Sequence, residues 1–269
     1  MILVRTPHTG MHAGEQGRRL VFYLAMEEYL SQHLEELVGH KTAPGAPMEA
    51  FFIWQVPPTV IFGRNQVMEA EVNLPYCRER GIATWRRKSG GGCVYADWGN
   101  VMCSYVTDAT DVAFTFDRYL RRVALTLRRL GLDADRSGRN DILVGGRKVS
   151  GNAFFRKGDT SIIHGTMLFD SDFAELERAI TPSTEKIASK GIASVRQRVT
   201  NVRAELEAVG HPMDLEAFKR FILADLCTDE VVLTEADMAG IEAIEEDYLD
   251  PDFIRGSKRL QSEDLWGPL

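Results

Sequence analysis

The sequence predicts an α/β fold: a mixed, largely antiparallel sheet flanked by helices. Three observations point there. Short apolar runs such as Ala50–Val56 and Val101–Thr107 read as buried strands. Gly145-Gly146 joins two further runs, Asp141–Val144 and Arg147–Ser150, as the two-residue loop that hairpins favour. Stretches with leucine at helical spacing stand between the strands. A chain of 269 residues suits one large domain or two smaller ones, and it can bury a sizeable core.

Taken in order, a short extended start leads to a helix over residues 14–38. There Leu20, Leu24, Leu30, Leu34 and Leu37 recur with Glu27, Glu28, Glu35 and Glu36 between them. Lys41 to Pro47 is a Pro/Gly loop, and Pro57-Pro58 ends the strand at Ala50–Val56. Thr59 to Phe62 is a second strand, closed by the polar turn Gly63-Arg64-Asn65-Gln66. Glu71 to Arg80 is a helix with Gly81 near its C-cap, and Ile82 to Trp85 is a strand. Phe116 to Leu130 is a basic amphipathic helix stopped by Gly131. Residues 137–170 read as strands joined by tight Gly turns, the last being Ser161 to Phe169. A short helix spans 172–180, and Thr181 to Ser194 is a polar loop. Beyond residue 205 carboxylates dominate. Asp214 caps a helix through Leu226, another runs from Glu235 to Glu246, and the last fifteen or so residues form a tail.

The net charge of −7 disfavours bulk nucleic-acid binding. No apolar run approaches the roughly 20 residues of a membrane span, and MILVRTPHTG, with neither an apolar h-region nor a cleavage site, is not expected to act as a secretory signal. Cys77, Cys93, Cys103 and Cys227 form no CxxC pair, so reduced thiols and a cytoplasmic location are expected.

The stretch Trp85–Asn100, WRRKSGGGCVYADWGN, organises the functional reading. Gly90, Gly91 and Gly92 can turn backbone N–H groups toward an anion, and Arg86 and Arg87 can add forked bonds to a phosphate or carboxylate. A solvated surface turn is the other reading. Lys148, one step before a Ser-Gly turn, is either a fixed charge against a negative reaction centre or one cation of an exposed Arg-Lys pair. His164 is a hydrogen-bonding core group or a general base. Asn140-Asp141 is a turn signal or holds a metal–phosphate pair. Cys93 is a small buried hydrophobe or a nucleophile.

Several motifs in order then carry a family resemblance. LAMEEYL at 24–30, PTVIFGRNQ at 58–66, EVN at 71–73 and RRKSGGGCVY at 86–95 are followed by GRNDILV at 138–144 and RKVSGNAFF at 147–155. HGTMLFD at 164–170 and KGIASVRQRVTN at 190–201 complete the set. The chain resembles the lipoate–protein ligase A family of the biotin/lipoate ligase superfamily. The resemblance implies that fold, with the glycine loop over an apolar acyl tunnel. It implies a two-step reaction: lipoate and ATP, with Mg²⁺, give lipoyl-adenylate, and a lysine of a lipoyl carrier domain then takes the acyl group. The carriers would be 2-oxoacid dehydrogenase E2 subunits or the glycine cleavage H protein.

By the same resemblance Lys148 is the catalytic residue, touching phosphate and acyl carbonyl. Arg87 meets the nucleotide. Ser89, Gly90, Gly91, Gly92, Cys93, Val94 and Tyr95 line the adenylate, together with Asn140, Asp141, Gly151, Asn152, Ala153, His164 and Gly165. Asp141 is the candidate Mg²⁺ contact through phosphate. Ala96 stands where the family commonly has histidine, and Asn152 where it often has serine. The expected organisation is one catalytic domain over 1–256 with a tail at 257–269. The family's C-terminal accessory domain is expected to be absent, and a separate accessory subunit could then serve adenylation. The rival readings are a lipoyl or octanoyl transferase, through Cys93 or from ready-made adenylate, and a lipoate- or carrier-binding module without adenylation. The basic helix and Arg147 are also expected to steer an acidic carrier.

Overall fold

The computed structural model describes residues 1–7, 18–138, 140–180 and 198–256. Its strands are β1 (Ile2–Arg5), β2 (Glu49–Trp54), β3 (Thr59–Phe62), β4 (Ala83–Arg86), β5 (Val94–Ala96), β6 (Asn100–Thr107), β7 (Ala134–Ser137), β8 (Asp141–Val144), β9 (Arg147–Lys157), β10 (Thr160–Leu168) and β11 (Asp229–Val232). The helices are α1 (Leu20–Gln32), α2 (Leu34–Val38), α3 (Met68–Glu71), α4 (Leu74–Arg80), α5 (Val112–Arg129), α6 (Phe173–Ala179), α7 (Val202–Ala208), α8 (Leu215–Leu226), α9 (Glu235–Leu249) and α10 (Pro251–Arg255).

Eight strands form the main sheet in the order β11-β1-β2-β6-β10-β9-β8-β7, and a smaller sheet runs β4-β3-β5. Among the described strands of the main sheet, the β11–β1 and β1–β2 pairs are parallel. From β2 to β7 the sheet is antiparallel throughout, as expected. One core lies under α1 and takes in Trp54, Met102, Ile162, Ile241 and Tyr248. A second, with Tyr119, Leu127, Ile163 and Phe218, lies under α5 and α8. A third lies under the small sheet, around Val60, Phe62, Cys77 and Tyr95.

Local chemistry sets the helix limits. The Asp111, Asp172 and Asp214 side chains accept from backbone N–H groups in the first turns of α5, α6 and α8. Thr234 and Asp237 close a capping box on α9. The helix expected over 14–38 is α1 and α2, broken at His33; residues 14–17 lie outside the described residues. It is not an amphipathic surface helix. Nearly every residue of α1 is buried, Glu27 and Glu28 included, because α1 is sandwiched between the sheet and α9. The helix expected over 71–80 is also two pieces, since Asn73 caps α4 and Val72 bridges to Ile180. Neither β7 nor β11 was expected as a strand, and β9 continues well past Ser150 to Lys157. The expected loop 181–194 and tail 257–269 lie outside the described residues.

The expected basic face of α5 is largely ion-paired, five arginines against four carboxylates. Arg118 and Arg122 pair with Glu49, Arg121 with Asp117, Arg128 with Asp135 and Arg129 with Asp225. Arg147 pairs with Glu205. Any surplus charge left to steer an acidic carrier from this face is small, since only Arg118 and Arg122 share a carboxylate among these pairs. Among the described residues no helix is long and apolar enough to cross a membrane.

Candidate active site

The glycine stretch has to make a crossing. β4 and β5 flank β3 on opposite sides, so residues 87–93 must pass over the end of β3 to connect them. The crossing goes over Gly63: a Cβ there would come within 2.1 Å of the Gly91 carbonyl oxygen. The turn beneath is fastened to the loop by Arg64 N–H, which donates to Ser89 O at 3.1 Å. Gly91 takes φ +91°, a conformation open to glycine.

The three cations before the glycines diverge, and two of them correct the expected anion fork. Arg86 donates to the carbonyls of Gly63, Arg64 and Gln66 and, through Nε, to Ile254 O at 3.0 Å. Arg87 is buried and turns inward, donating to Ile61 O at 3.3 Å, Gly90 O at 2.7 Å and Gly92 O at 2.8 Å. A loop that turns its N–H groups one way leaves carbonyls facing back, and the guanidinium satisfies them. Burial pulls the Arg87 pKa down to about 10. Lys88 pairs with the buried Glu28 at 2.8 Å. The structure thus assigns these groups to shaping the loop.

Ser89 anchors the loop to the main sheet. Its Oγ accepts from Arg87 Nε at 3.0 Å and lies 2.7 Å from His164 Nε2. His164 Nδ1 lies 2.7 Å from Glu27 Oε2, and Ser104 Oγ donates to the other Glu27 oxygen while accepting from Trp54 Nε1 at 2.9 Å. With Glu27 accepting from Nδ1–H, the ring is fixed so that Nε2 faces the Ser89 hydroxyl. Ser89, Glu27 and Ser104 are fully buried and His164 nearly so, and every link is hydrogen bonded. His164 is therefore a buried hydrogen-bonding group that ties the loop to β10 and α1.

Lys148 reaches this same sheet face through a bulge. Strict alternation would put it with Ser150 and Asn152, opposite to Gly151 and Ala153. The β8–β9 register slips at Ile142/Leu143: Ile142 pairs with Ser150 but Leu143 with Lys148. Lys148 pairs with Leu143 on the face of Asp141, and Val149, the extra residue, brings Gly151 onto that same face. The amine lies across Gly151, where a Cβ would meet Nζ at 2.5 Å, and 2.7 Å from Asp141 Oδ1. Ala153 is in register with His164, so Lys148, Asp141, Ala153 and His164 share one face with the Ser89 anchor. Val199 bridges to Lys148, and Thr200 N–H donates to Lys148 O at 2.9 Å, fixing its backbone.

The remaining expected residues fall around this pair. Asn140 and Asn152 bind each other: Asn140 Nδ2 donates to Asn152 O at 2.7 Å and Asn152 Nδ2 to Asn140 O at 3.1 Å. Asn152 Oδ1 fills the space beside Gly165 where a side chain would stand. Both side chains thus brace the hairpin. Tyr95 buries its ring in the third core, Cys93 packs at the edge of that core, and Val94 is half-buried. Burial pushes the Tyr95 phenol up. Ala96, at the position of the family's histidine, is fully buried. Among the described residues no group of three His, Cys, Asp or Glu side chains could hold a metal. A single half-exposed Asp141 carboxylate beside Lys148 suits an ion carried in on substrate phosphates, not a resident one.

Sequence reasoning missed Glu27, Glu28, Ser104, Trp54 and Tyr248. Two adjacent carboxylates inside the apolar run LVFYLAMEEYL were the available signal.

The mixed sheet that carries this lysine hairpin and glycine loop has the fold of lipoate ligases of known structure. A chain of a bipartite lipoate protein ligase from Thermoplasma acidophilum, solved in a study with its E2 lipoyl domain, superposes with TM-score 0.73. The two are 25% identical, and the match covers 97% of this chain and 98% of that one. A lipoate-protein ligase A bound with ATP has the same fold, with TM-score 0.72 at 23% identity, over 95% and 98% of the two chains. Residues 20–227 match the family described as lipoyl protein ligase A/B catalytic domain, and the chain belongs to it. Lipoate–protein ligase 1 of Staphylococcus aureus is 36% identical over 230 residues, 83% of this chain and 66% of its own. Lipoate-protein ligase LplJ of Bacillus subtilis is 37% identical over 230 residues, 82% of this chain and 65% of its own. The chain thus spans just under two thirds of the length of these curated relatives.

Proposed function

We propose that this chain is the catalytic part of a lipoate–protein ligase, with residues 1–256 acting as one domain. In the first half-reaction a lipoate carboxylate oxygen bonds to the α-phosphorus of ATP, and the bond to pyrophosphate breaks. In the second, a carrier lysine nitrogen bonds to the acyl carbon. AMP leaves with the bonding pair, and the amine's surplus proton goes to water. Both steps build negative charge on oxygens beside the reacting atom. The observation that carries the reading is the bulge that lays the Lys148 ammonium over Gly151, on the face to which Ser89 anchors the loop. A fixed charge so placed favours both transition states. The half-exposed Asp141 carboxylate orients that ammonium, and it is the residue that would meet Mg²⁺ on the nucleotide phosphates. The metal's contribution would be to neutralise phosphate charge. The loop amides of Gly90–Gly92, held open by Arg87, suit the adenylate phosphate.

The relatives' names support lipoate as acyl substrate, and the ATP-bound ligase supports ATP. The Thermoplasma system supports a lipoyl carrier domain as partner, and its bipartite nature supports a second polypeptide in the adenylation half. The test is incubation of the chain with ATP, Mg²⁺, lipoate and an apo lipoyl domain, followed by mass spectrometry of that domain. One lipoyl mass is expected, lost with Lys148→Ala and kept with Cys93→Ala. If only ready-made lipoyl-adenylate is used, adenylation needs the second polypeptide. A dead Cys93→Ala beside an active Lys148→Ala makes the protein a thioester transferase instead. No transfer from either acyl source refutes the reading.

A further inference from the structure

The segment after residue 227 lies beyond the family match, yet it is fastened to the glycine loop at two points. The first is a buried node on Glu28. Lys88 Nζ lies 2.8 Å from Glu28 Oε1, and the Tyr248 hydroxyl of α9 donates to that same oxygen. Lys157 of β9 takes Oε2. The Lys88 ammonium also stands 4.5 Å from the centroid of the Tyr248 ring and 3.7 Å from Asp247. Burial pushes the Glu28 carboxyl up, but Lys88 and Lys157 outweigh it and hold its pKa below the ordinary value. The second point is Arg86, whose Nε donates to Ile254 O at the end of α10 while its Nη1 holds the turn under the loop. Residues 86 and 88 are thus gripped by the C-terminal helices, and residue 87 between them holds the loop carbonyls.

We propose that α9 and α10 brace the glycine loop, with Tyr248 as a positioning residue that acts through Glu28 and Lys88 on the nucleotide-binding amides. The inference rests on the ligase reading only for what the loop binds; the brace itself is a matter of geometry. Tyr248 is fully buried with its ring in the core, so Tyr248→Phe removes the hydroxyl and keeps the packing. The hydroxyl's bond is to a charged carboxylate, and its loss loosens the loop.

Hydrogen exchange of the whole chain, read by mass spectrometry, tests the brace without any substrate. In Tyr248→Phe the amides of residues 88–95 should exchange roughly tenfold faster, equivalent to about 1.4 kcal/mol. Those of 112–129 should not change. Lys88→Met should act likewise, and Lys88→Arg should largely restore protection. In lipoate-dependent ATP–pyrophosphate exchange, with the second polypeptide if it is required, the KM for ATP should rise about tenfold in Tyr248→Phe while kcat falls less. Unchanged loop exchange, acceleration spread over the whole chain, or a normal KM with a loosened loop overturns the proposal. A wild-type chain without ligase activity would refute the ligase reading alone, and loop exchange would still decide the brace.

Discussion

Substituting Gly151 by alanine separates the position of the Lys148 amine from the stability of the fold. The new Cβ would lie 2.5 Å from Lys148 Nζ and 2.7 Å from Cε, with Asp141 Oδ1 at 3.6 Å. Non-bonded contacts settle near 3.5 Å, so the amine has to retreat by about 1 Å. The obstructing atoms are the far end of a flexible chain, so the retreat costs little. Gly151 is not among the glycines with positive φ, and alanine there stiffens the unfolded chain by roughly 0.4–1 kcal/mol. Stability should therefore stay within about 1 kcal/mol of wild type. A misplacement of about 1 Å at a reacting centre costs on the order of 100-fold in rate. The assay is carrier lipoylation followed by mass spectrometry, paired with urea denaturation of the same samples. A fully active Gly151→Ala chain would refute the placement of the amine, and an unfolded one would refute the claim that only the lysine must move.

Two further outcomes follow from the loop and its supports. Gly63→Ala sets a Cβ 2.1 Å from Gly91 O and 3.2 Å from Gly90 C, backbone against backbone, with no flexible end to yield. It should destabilise by roughly 1–3 kcal/mol in urea denaturation and weaken ATP binding in calorimetry. Glu28 has a folded pKa below its ordinary 4.5, so its stabilisation is complete above that value and fades as pH falls through the lower folded value. Glu28→Gln should cost about 3 kcal/mol at neutral pH and flatten the acid limb of a stability–pH curve measured by denaturation.

What could be read from the sequence was local. The hairpin at Gly145-Gly146 is written in neighbouring residues, and it brings Asp141 and Lys148 to within 2.7 Å. The bulge at Val149 was not legible, because it arises from pairing with β8 and not from any residue's own preference. The burial of Glu27 and Glu28 was not legible for a similar reason. Their partners, Ser104, His164, Lys157 and Tyr248, lie far along the chain, and helical spacing alone assigns a charged pair to the wet side. The cluster RRK announced positive charge but not its direction, since carbonyls left by a loop are invisible until the loop is built. β11 hid because DEVV is short and half acidic, and it becomes a strand only by docking on β1.

The parallel pairing of β1 with β11 bears on how this polypeptide reaches its native form. β1 emerges more than two hundred residues ahead of β11 during synthesis, and its outer backbone groups wait unpaired until residues 229–232 arrive. In that interval Ile2, Leu3 and Val4 present an apolar strand margin, the kind that recruits neighbouring molecules. Expression trimmed at residue 227 would make that transient state permanent. Insoluble product from such a trimmed gene would therefore reflect an uncapped ribbon and not a faulty catalytic centre.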